Sequence, residues 1–252
     1  MDDGGVRRES LIAPGARFGP SALPPEMSEH WNLLRSGAAS AAENMAADEA
    51  LLESVPKWNR PVLRFYSWSE AAATFGYAQR FDEVAELTEL RPLVRRPTGG
   101  GLVLHEHDWT YSLAFPRSHR WGGYRAAESY RAVHEWLQRS FEAIGVITEL
   151  AERTPSEKAG VCFSRAERND LLFGCVKLAG AAQRRNRNGL LIQGSIRPPY
   201  CGWVRTDWER AMLETGTSRI EWQPLQFEDE FMNRVRDLAE NKYGSSGHNR
   251  SR

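Results

Sequence analysis

The chain has 252 residues, of which 41% are hydrophobic and 26% charged, so it can bury a sizeable core as one large domain or two small ones. Lys plus Arg and Asp plus Glu number 33 each, and a net charge of zero gives no strong global field for binding nucleic acid. There are three cysteines, without CxxC spacing, no apolar run long enough to span a membrane, and no secretory signal at the N-terminus. These features predict a cytoplasmic protein that binds neither nucleic acid nor a membrane.

The two ends of the chain differ in composition from its middle. Residues 1–29 are rich in Gly, Pro, Ser and charge, which predicts a flexible extension with no function of its own. Residues 243–252 have a similar composition and are expected to form a flexible tail. The folded domain is therefore expected over residues 30–242.

Within that domain, the predicted elements are mainly strands. Ser40 and Glu43 form a capping-box pattern ahead of a helix over roughly 41–55. Helical spacing recurs from Tyr130 to Ile144, and again at Phe227, Phe231, Val235 and Leu238. Strand patterns occupy 62–68, 72–77, 93–96, 101–105, 110–115, 146–150, 170–173, 176–182 and 189–196. Because strands outnumber helices and several follow short turns, we predict an α+β fold with a mixed or antiparallel sheet flanked by helices.

Three consecutive glycines, Gly99 to Gly101, lie between two of these strands and follow Arg95 and Arg96. Glycine permits positive φ and close approach to the backbone, and successive free N–H groups can bind an anion. A guanidinium there could hold a carboxylate, a phosphate or a partner's strand. The alternative is a tight hairpin turn with two solvated arginines. No Gly-Lys-Ser/Thr follows, so the segment is not a Walker A motif.

The wider string RRPTGGGLVLHEHDWTYSLAF, residues 95–115, resembles the RRxxGGGxVxHD signature of lipoate–protein ligases and octanoyltransferases. Further segments resemble the same family in the same order: residues 44–52, 64–68 with 75–79, and 177–185 with 191–196. The resemblance covers about residues 31–240. It implies a biotin/lipoate ligase-type catalytic domain that attaches a medium-chain acyl group to one lysine of a small carrier domain.

Two chemistries occur in this family, and Cys162 favours one of them. Ligases activate lipoate through an acyl-adenylate with ATP, whereas octanoyltransferases take octanoate from acyl carrier protein through a cysteine thioester. Cys162 lies 15 residues before Lys177, as in the similar LipM-type octanoyltransferases. A nearby ammonium favours the reactive thiolate. The alternatives are a small buried Cys162 and a solvated Lys177. Cys175 is a rival nucleophile that we interpret as incidental, and Cys201 is interpreted as structural.

The resemblance implies Cys162 and Lys177 as catalytic residues and a larger set as substrate-binding residues. That set is Arg96, Thr98, Gly99, Gly100, Gly101, His105, Gly180, Ala181 and Ala182. His105 could act as a general base or could be bonded to backbone beside the turn. We expect no metal site, because His105 and His107 have no third ligand at a convincing spacing.

In the transferase branch no cofactor is required, the acyl donor is acyl carrier protein, and the acceptor is a lipoyl domain or the H-type carrier of glycine cleavage. Arg184, Arg185 and Arg187 could meet the acidic surface of such a carrier or could lie in a solvated loop. The chain also leaves little length after residue 195 for a ligase accessory domain.

Other features favour the ligase branch, which would use ATP and Mg. The third glycine, Gly101, and the segment from Arg168 to Leu171 are ligase-like. Glu106 replaces the usual aspartate after His105, which is a conservative change. A third hypothesis is a non-catalytic relative that only binds carriers.

Overall fold

The computed structural model describes residues 1, 28–152, 166–199, 202–216, 219–226 and 228–251. Eleven strands are found in these ranges: β1 Glu29–Ala39, β2 Val62–Trp68, β3 Ala72–Phe75, β4 Leu93–Arg95, β5 Val103–His105, β6 Trp109–Pro116, β7 Glu149–Leu150, β8 Leu171–Phe173, β9 Val176–Arg185, β10 Gly189–Ile196 and β11 Ile220–Pro224. The helices of the same ranges are α1 Ala41–Trp58, α2 Phe81–Ala85, α3 Arg120–Gly123, α4 Ala126–Ala143, α5 Arg205–Glu214, α6 Asp229–Leu238 and α7 Ser246–Asn249, with a π-helical segment at Ala239–Tyr243.

The strands of the described chain form two mixed sheets. The larger sheet has the order β11-β1-β2-β6-β10-β9-β8-β7, in which β1 is parallel to both of its neighbours and the other pairs are antiparallel. The smaller sheet has the order β4-β3-β5. The strands β4 and β5 on either side of the glycine segment therefore do not pair with each other, and the hairpin alternative is wrong.

Helices cover both faces of the larger sheet. On one face α4 and α5 pack on residues such as Leu113, Phe115 and Ile192. On the other face α1 and α6 pack on Ala114 and Leu191. Central strands such as β6 are thus covered on both sides, and every residue of β6 is buried.

Helix α1 begins as the sequence predicts. The Ser40 side chain accepts a hydrogen bond from the Glu43 amide, and the Glu43 carboxylate accepts one from the Ser40 amide, which completes the capping box. Gly145, with φ of +78°, follows α4 and ends the second predicted helix. The α+β prediction with a mixed sheet is confirmed.

The C-terminal residues differ from the sequence-based prediction of a flexible tail over 243–252. Tyr243 and Asn249 are buried, and α7 contacts β4. The Asn249 side chain accepts a hydrogen bond from the Arg95 amide at 2.9 Å and donates one to the Tyr243 carbonyl. Polar composition was misleading here because these polar groups bond to the domain instead of to water. Most of the predicted N-terminal extension, residues 2–27, lies outside the described residues.

Within the described ranges, no helix combines the length and hydropathy that crossing a membrane requires.

Candidate active site

A pocket opens between the larger sheet, the smaller sheet and α1. We call it the central pocket; it encloses about 500 Å3 of empty space, counting its open mouth. Its walls combine apolar groups with a few polar ones: Met45, Tyr66, Trp68, Thr74, Arg96, Gly100, Val103, His105, Thr110, Lys177, Gly180, Ala181, Ala182, Gln193, Gly194 and Ser195. The fold therefore brings Arg96, Gly100, His105, Lys177 and the segment 180–182 together, although they are up to 86 residues apart in the chain.

Lys177 lies near the start of β9, and its side chain is only 6% exposed. Its ammonium lies 2.7 Å from the fully buried carboxylate of Asp170, so the alternative of a solvated lysine does not hold. Tyr130, from α4, donates a hydrogen bond to the second oxygen of Asp170. Desolvation of the Tyr130 hydroxyl and the adjacent Asp170 carboxylate raise the pKa of Tyr130 well above its usual range, so the phenol stays protonated as a donor.

Gly180 provides the space that the Lys177 side chain occupies. A Cβ atom at position 180 would lie 2.8 Å from Lys177 Cε and 2.9 Å from Nζ, closer than van der Waals contact allows. The glycine in the Lys-Leu-Ala-Gly string thus allows the lysine to fold back over its own strand. The ammonium is consequently held at the pocket wall instead of extending into solvent.

The glycine segment forms a loop that Arg96 holds from inside. The Arg96 guanidinium donates to the carbonyls of Gly99 and Gly101, and to that of Thr74 on β3. Gly100 has φ of +85°, and the carbonyl of Gly100 lies so close to Gly76 that no Cβ would fit there. Arg96 lines the pocket, and these hydrogen bonds allow its guanidinium to shape the loop from within.

Arg95 is also buried and faces the opposite way. Its guanidinium donates to the carbonyls of Tyr77 and Gln79 and to that of Asn249 in α7. The two arginines therefore connect the glycine loop to β3 and to α7. Neither arginine is a solvated turn residue.

A buried polar network supports the loop from below. Thr98 donates to Gln193 at 2.7 Å, and Gln193 donates to Asp48 of α1 at 2.7 Å. Asp48 in turn accepts from Arg64 of β2 and from Ser112 of β6. Because each of these buried groups is satisfied by the next, the network fixes the loop relative to α1 and the sheet.

His105 lies at the end of β5, stacked on the Trp68 ring with 3.8 Å between ring centroids. Its Nδ1 lies 2.8 Å from Asp108 Oδ2, and its Nε2 lies 2.8 Å from Thr74 Oγ1. Both nitrogens thus meet side chains, not backbone. Glu106 is exposed, and Asp108 supplies the carboxylate that meets His105 Nδ1.

Sequence reasoning missed Thr74 and the role of Asp108. A carboxylate three residues after a histidine, directly before a buried strand, was the available signal for Asp108. Thr74 carries no signal within its own strand, because only the pairing of β3 with β5 brings it beside His105.

The cysteines are only partly described. Cys162 and Cys201 lie outside the described residues, whereas Cys175 is exposed in the turn between β8 and β9. The described residues that flank the segment with Cys162 are paired with each other: the Asn169 amide donates to the Ala151 carbonyl, and the Ala151 amide donates to the Asp170 carbonyl. Both flanks of that segment therefore lie beside the partner of Lys177.

The basic run extends from the end of β9. Arg184 donates to the Pro97 carbonyl beside the glycine loop, and Arg185 donates to Ser129 of α4. Arg187 is exposed in the turn that follows. Arg184 and Arg185 thus lie on a strand, and the solvated-loop alternative applies only to Arg187.

Comparison with known proteins gives the same family as the sequence motifs. The family model described as lipoyl protein ligase A/B catalytic domain matches residues 40–197. Octanoyltransferase LipM of Staphylococcus aureus (strain NCTC 8325 / PS 47) is 36% identical over 183 residues, which cover 68% of this chain and 66% of that protein. Octanoyltransferase LipM of Bacillus subtilis (strain 168) is 35% identical over 185 residues, covering 67% of this chain and 65% of that one. The match thus spans about two thirds of the length of these curated relatives.

Solved structures with the same fold have much lower sequence identity. A lipoate-protein ligase A bound with ATP superimposes with a TM-score of 0.69 at 19% identity, covering 89% of this chain and 99% of that one. The bi-partite lipoate protein ligase of Thermoplasma acidophilum, studied with its E2 lipoyl domain, gives a TM-score of 0.69 at 18% identity, covering 88% and 96%. The fold is that of lipoate-protein ligases, and by its sequence the chain belongs to the lipoyl protein ligase A/B catalytic domain family.

Proposed function

We propose that this protein is an octanoyltransferase of protein lipoylation. It takes an octanoyl group from acyl carrier protein as a cysteine thioester and passes it to a lysine of a lipoyl domain or of an H-type carrier. The observation that carries the proposal is the buried Lys177–Asp170 ion pair at the wall of a partly apolar pocket, in a chain similar to octanoyltransferases named LipM.

The pocket suits a medium acyl chain. Met45, Tyr66, Trp68 and Val103 offer apolar surface, and Gly180 and Gly194 contribute only backbone to the wall. Gly194 is constrained, because a Cβ there would collide with the Tyr111 ring. Transfer of an alkyl chain from water to such a surface lowers the free energy and so favours binding.

Lys177 can serve thioester chemistry because its charge is held in place. A nearby ammonium favours a thiolate over a thiol, and it stabilises the negative charge that develops on a carbonyl oxygen under attack. We assign the nucleophile to Cys162. Its thiolate attacks the octanoyl carbonyl carbon, a new C–S bond forms, and the carrier leaves as its own thiolate.

The experiment is incubation of the protein with octanoyl acyl carrier protein, followed by intact-mass and peptide mass spectrometry. We expect one octanoyl adduct on Cys162 and its transfer to an added lipoyl domain. Cys162→Ala should lose the adduct and the transfer. Cys175→Ala is the matched control, since Cys175 is exposed only two residues from Lys177, and it should keep both. An active Cys162→Ala protein, or an adduct on Cys175, would refute the assignment.

A second candidate is an ATP-dependent lipoate ligase, which Gly101 and the Arg168 to Leu171 segment favour. That activity predicts lipoate-dependent exchange between pyrophosphate and ATP. Exchange without octanoyl transfer would replace the proposal by the ligase, and carrier binding without either reaction would indicate a non-catalytic relative.

A further inference from the structure

A second acid–base group lines the central pocket, separate from the Lys177 ion pair. It consists of Thr74 from β3, His105 from β5, and Asp108 from the turn before β6. The distances are 2.8 Å from Thr74 Oγ1 to His105 Nε2 and 2.8 Å from His105 Nδ1 to Asp108 Oδ2. All three residues are buried, while Thr74 and His105 line the pocket.

The hydrogen-bond partners determine the direction of each bond. Asp108 Oδ2 also accepts a hydrogen bond from the Ser195 hydroxyl at 2.6 Å. An ionised carboxylate can only accept, so it selects the histidine tautomer with the proton on Nδ1. Nε2 is then an acceptor, and the Thr74 hydroxyl donates to it. A hydroxyl, an imidazole and a carboxylate in this order form the arrangement by which proteins activate a hydroxyl group.

This group and Lys177 lie on the same face of the larger sheet. Gly180 on β9 is paired with Ser195 on β10, and directly opposed residues of antiparallel strands project to the same side. The Lys177 ammonium lies over Gly180, whereas the Ser195 side chain bonds to Asp108. The backbones of Gly180 and Ser195 are about one strand spacing of ~5 Å apart, and Lys177, His105 and Thr74 all line the central pocket.

The second half of the proposed reaction needs a base. The carrier lysine arrives as an ammonium ion at neutral pH, because its usual pKa is near ~10.4, and an ammonium has no lone pair with which to attack. Lys177 is already bonded to the Asp170 carboxylate at 2.7 Å, and the proposed reaction uses it to favour the thiolate and to stabilise the carbonyl oxygen under attack.

We propose that Thr74, His105 and Asp108 form the proton relay that deprotonates the carrier lysine when it attacks the acyl thioester. This inference rests on the proposed octanoyl transfer. The lone pairs of Thr74 Oγ1 that do not face His105 receive a proton from the ammonium, while the original hydroxyl proton passes to His105 Nε2. The Asp108 carboxylate stabilises the resulting imidazolium.

The free amine nitrogen attacks the thioester carbonyl carbon, forming a C–N bond. The C–S bond breaks, and its electron pair leaves with sulfur as a thiolate. The nitrogen, which still carries two of its three original protons, gives one to that thiolate and keeps the other in the amide. His105 then releases the first proton to solvent.

Other charged or titratable groups face this relay from the elements around it. Arg96 donates to the Thr74 carbonyl, Arg205 of α5 and Tyr66 of β2 lie near Asp108, and the Lys177–Asp170 pair lies across the central pocket. Thr74→Val is therefore the informative variant. It removes the relay hydroxyl at nearly constant volume and leaves every charge in place.

The test separates the two half-reactions. Octanoyl-enzyme is formed from octanoyl acyl carrier protein and isolated, and its transfer to a lipoyl domain is then followed by rapid quench from pH 6 to 9. Thr74→Val should acylate at nearly the wild-type rate but transfer about 100-fold more slowly, as expected for the loss of a general base. Thr74→Ser, which keeps the hydroxyl, should restore most of the transfer rate.

The pH profile distinguishes a relay from a structural role. The wild-type transfer rate should rise with pH and level off. In Thr74→Val it should rise about tenfold per pH unit throughout, because the amine must lose its proton to water. Thr148→Val is the matched control: it also removes a buried threonine hydroxyl, one outside the pocket, and should leave rate and profile unchanged.

Three results would overturn the inference and leave the proposed function standing. One is a Thr74→Val enzyme with wild-type transfer and profile, and another is an equal loss of acylation and transfer. If Thr74→Val does not fold, Asp108→Asn must slow transfer selectively by tenfold or more, and failure to do so is the third. A wild-type protein that forms no acyl-enzyme overturns the proposed function and this inference together.

Discussion

The most direct test of the Lys177 site is Gly180→Ala, which adds one methyl group. The new Cβ would lie 2.8 Å from Lys177 Cε and 2.9 Å from Nζ, whereas carbon atoms normally approach to about 3.5–4.0 Å. The lysine side chain must therefore move by about 1 Å. It cannot leave the site altogether, because a buried, unpaired Asp170 carboxylate would cost about 3–5 kcal/mol.

Local strain costs less than an unpaired Asp170 carboxylate, at about 1–3 kcal/mol for an overpacked site. We expect the free energy of unfolding to fall by that amount in a denaturant titration. Acylation by octanoyl acyl carrier protein should slow about 100-fold, since a misplacement near 1 Å has effects of that size. A 100-fold loss of rate corresponds to about 2.7 kcal/mol in the activation barrier, near the upper end of the expected loss in stability.

Gly123→Ala provides the matched control, because a Cβ at position 123 meets no atom within 4 Å. It should leave both stability and acylation near wild type. A Gly180→Ala protein that acylates at the wild-type rate would show that the position of the Lys177 ammonium does not matter for the reaction.

Three further predictions concern the surroundings of the site. Arg96→Lys should lower stability by about 1–3 kcal/mol and slow acylation, because one ammonium nitrogen cannot replace the three guanidinium nitrogens that bond Thr98, Thr74 and the loop carbonyls; unchanged kinetics would contradict this. Asn249→Ala should cost about 1–3 kcal/mol in denaturant unfolding, since it leaves a buried amide without its acceptor. Burial lowers the pKa of His134 to about 4, so from pH 6.5 down to 4 the unfolded chain binds the proton first and stability falls by about 1.4 kcal/mol per pH unit. His134→Gln should remove that contribution, and an equal acid sensitivity in both proteins would refute it.

Local signals predicted the helices and strands that carry strong periodicity. Helix α1 followed from the capping box at Ser40, and α4 from the apolar spacing that ends at Gly145. Strand β1 was largely missed, because Gly37, with φ of +68°, and a register shift near Arg35 interrupt its alternation. Helix α5 was missed as well, since its apolar stripe is weak and most of its surface is polar.

The site residues likewise fall into two groups: those that local sequence signals predicted and those that depend on tertiary contacts. The family strings identified Lys177, Gly180 and the glycine loop as site residues, because each string is a continuous run in the chain. They did not give the roles of the arginines, which depend on tertiary partners: Arg95 bonds to α7, and Arg96 bonds to the carbonyls of its own loop. The bond between Thr74 and His105 likewise arises from strand pairing across the smaller sheet.

The buried network beneath the glycine loop also has a consequence for folding kinetics. Its hydrogen bonds join Asp48 with Arg64, Gln193 and, through Gln193, Thr98, so the loop is fixed by residues as far as 145 positions apart. Contacts between such distant segments close large loops, so the chain loses conformational entropy before the contacts provide any stabilisation. The glycine loop should therefore become ordered late in folding, only when α1 and β10 have both docked, so a partly folded intermediate would have helix and sheet but no pocket.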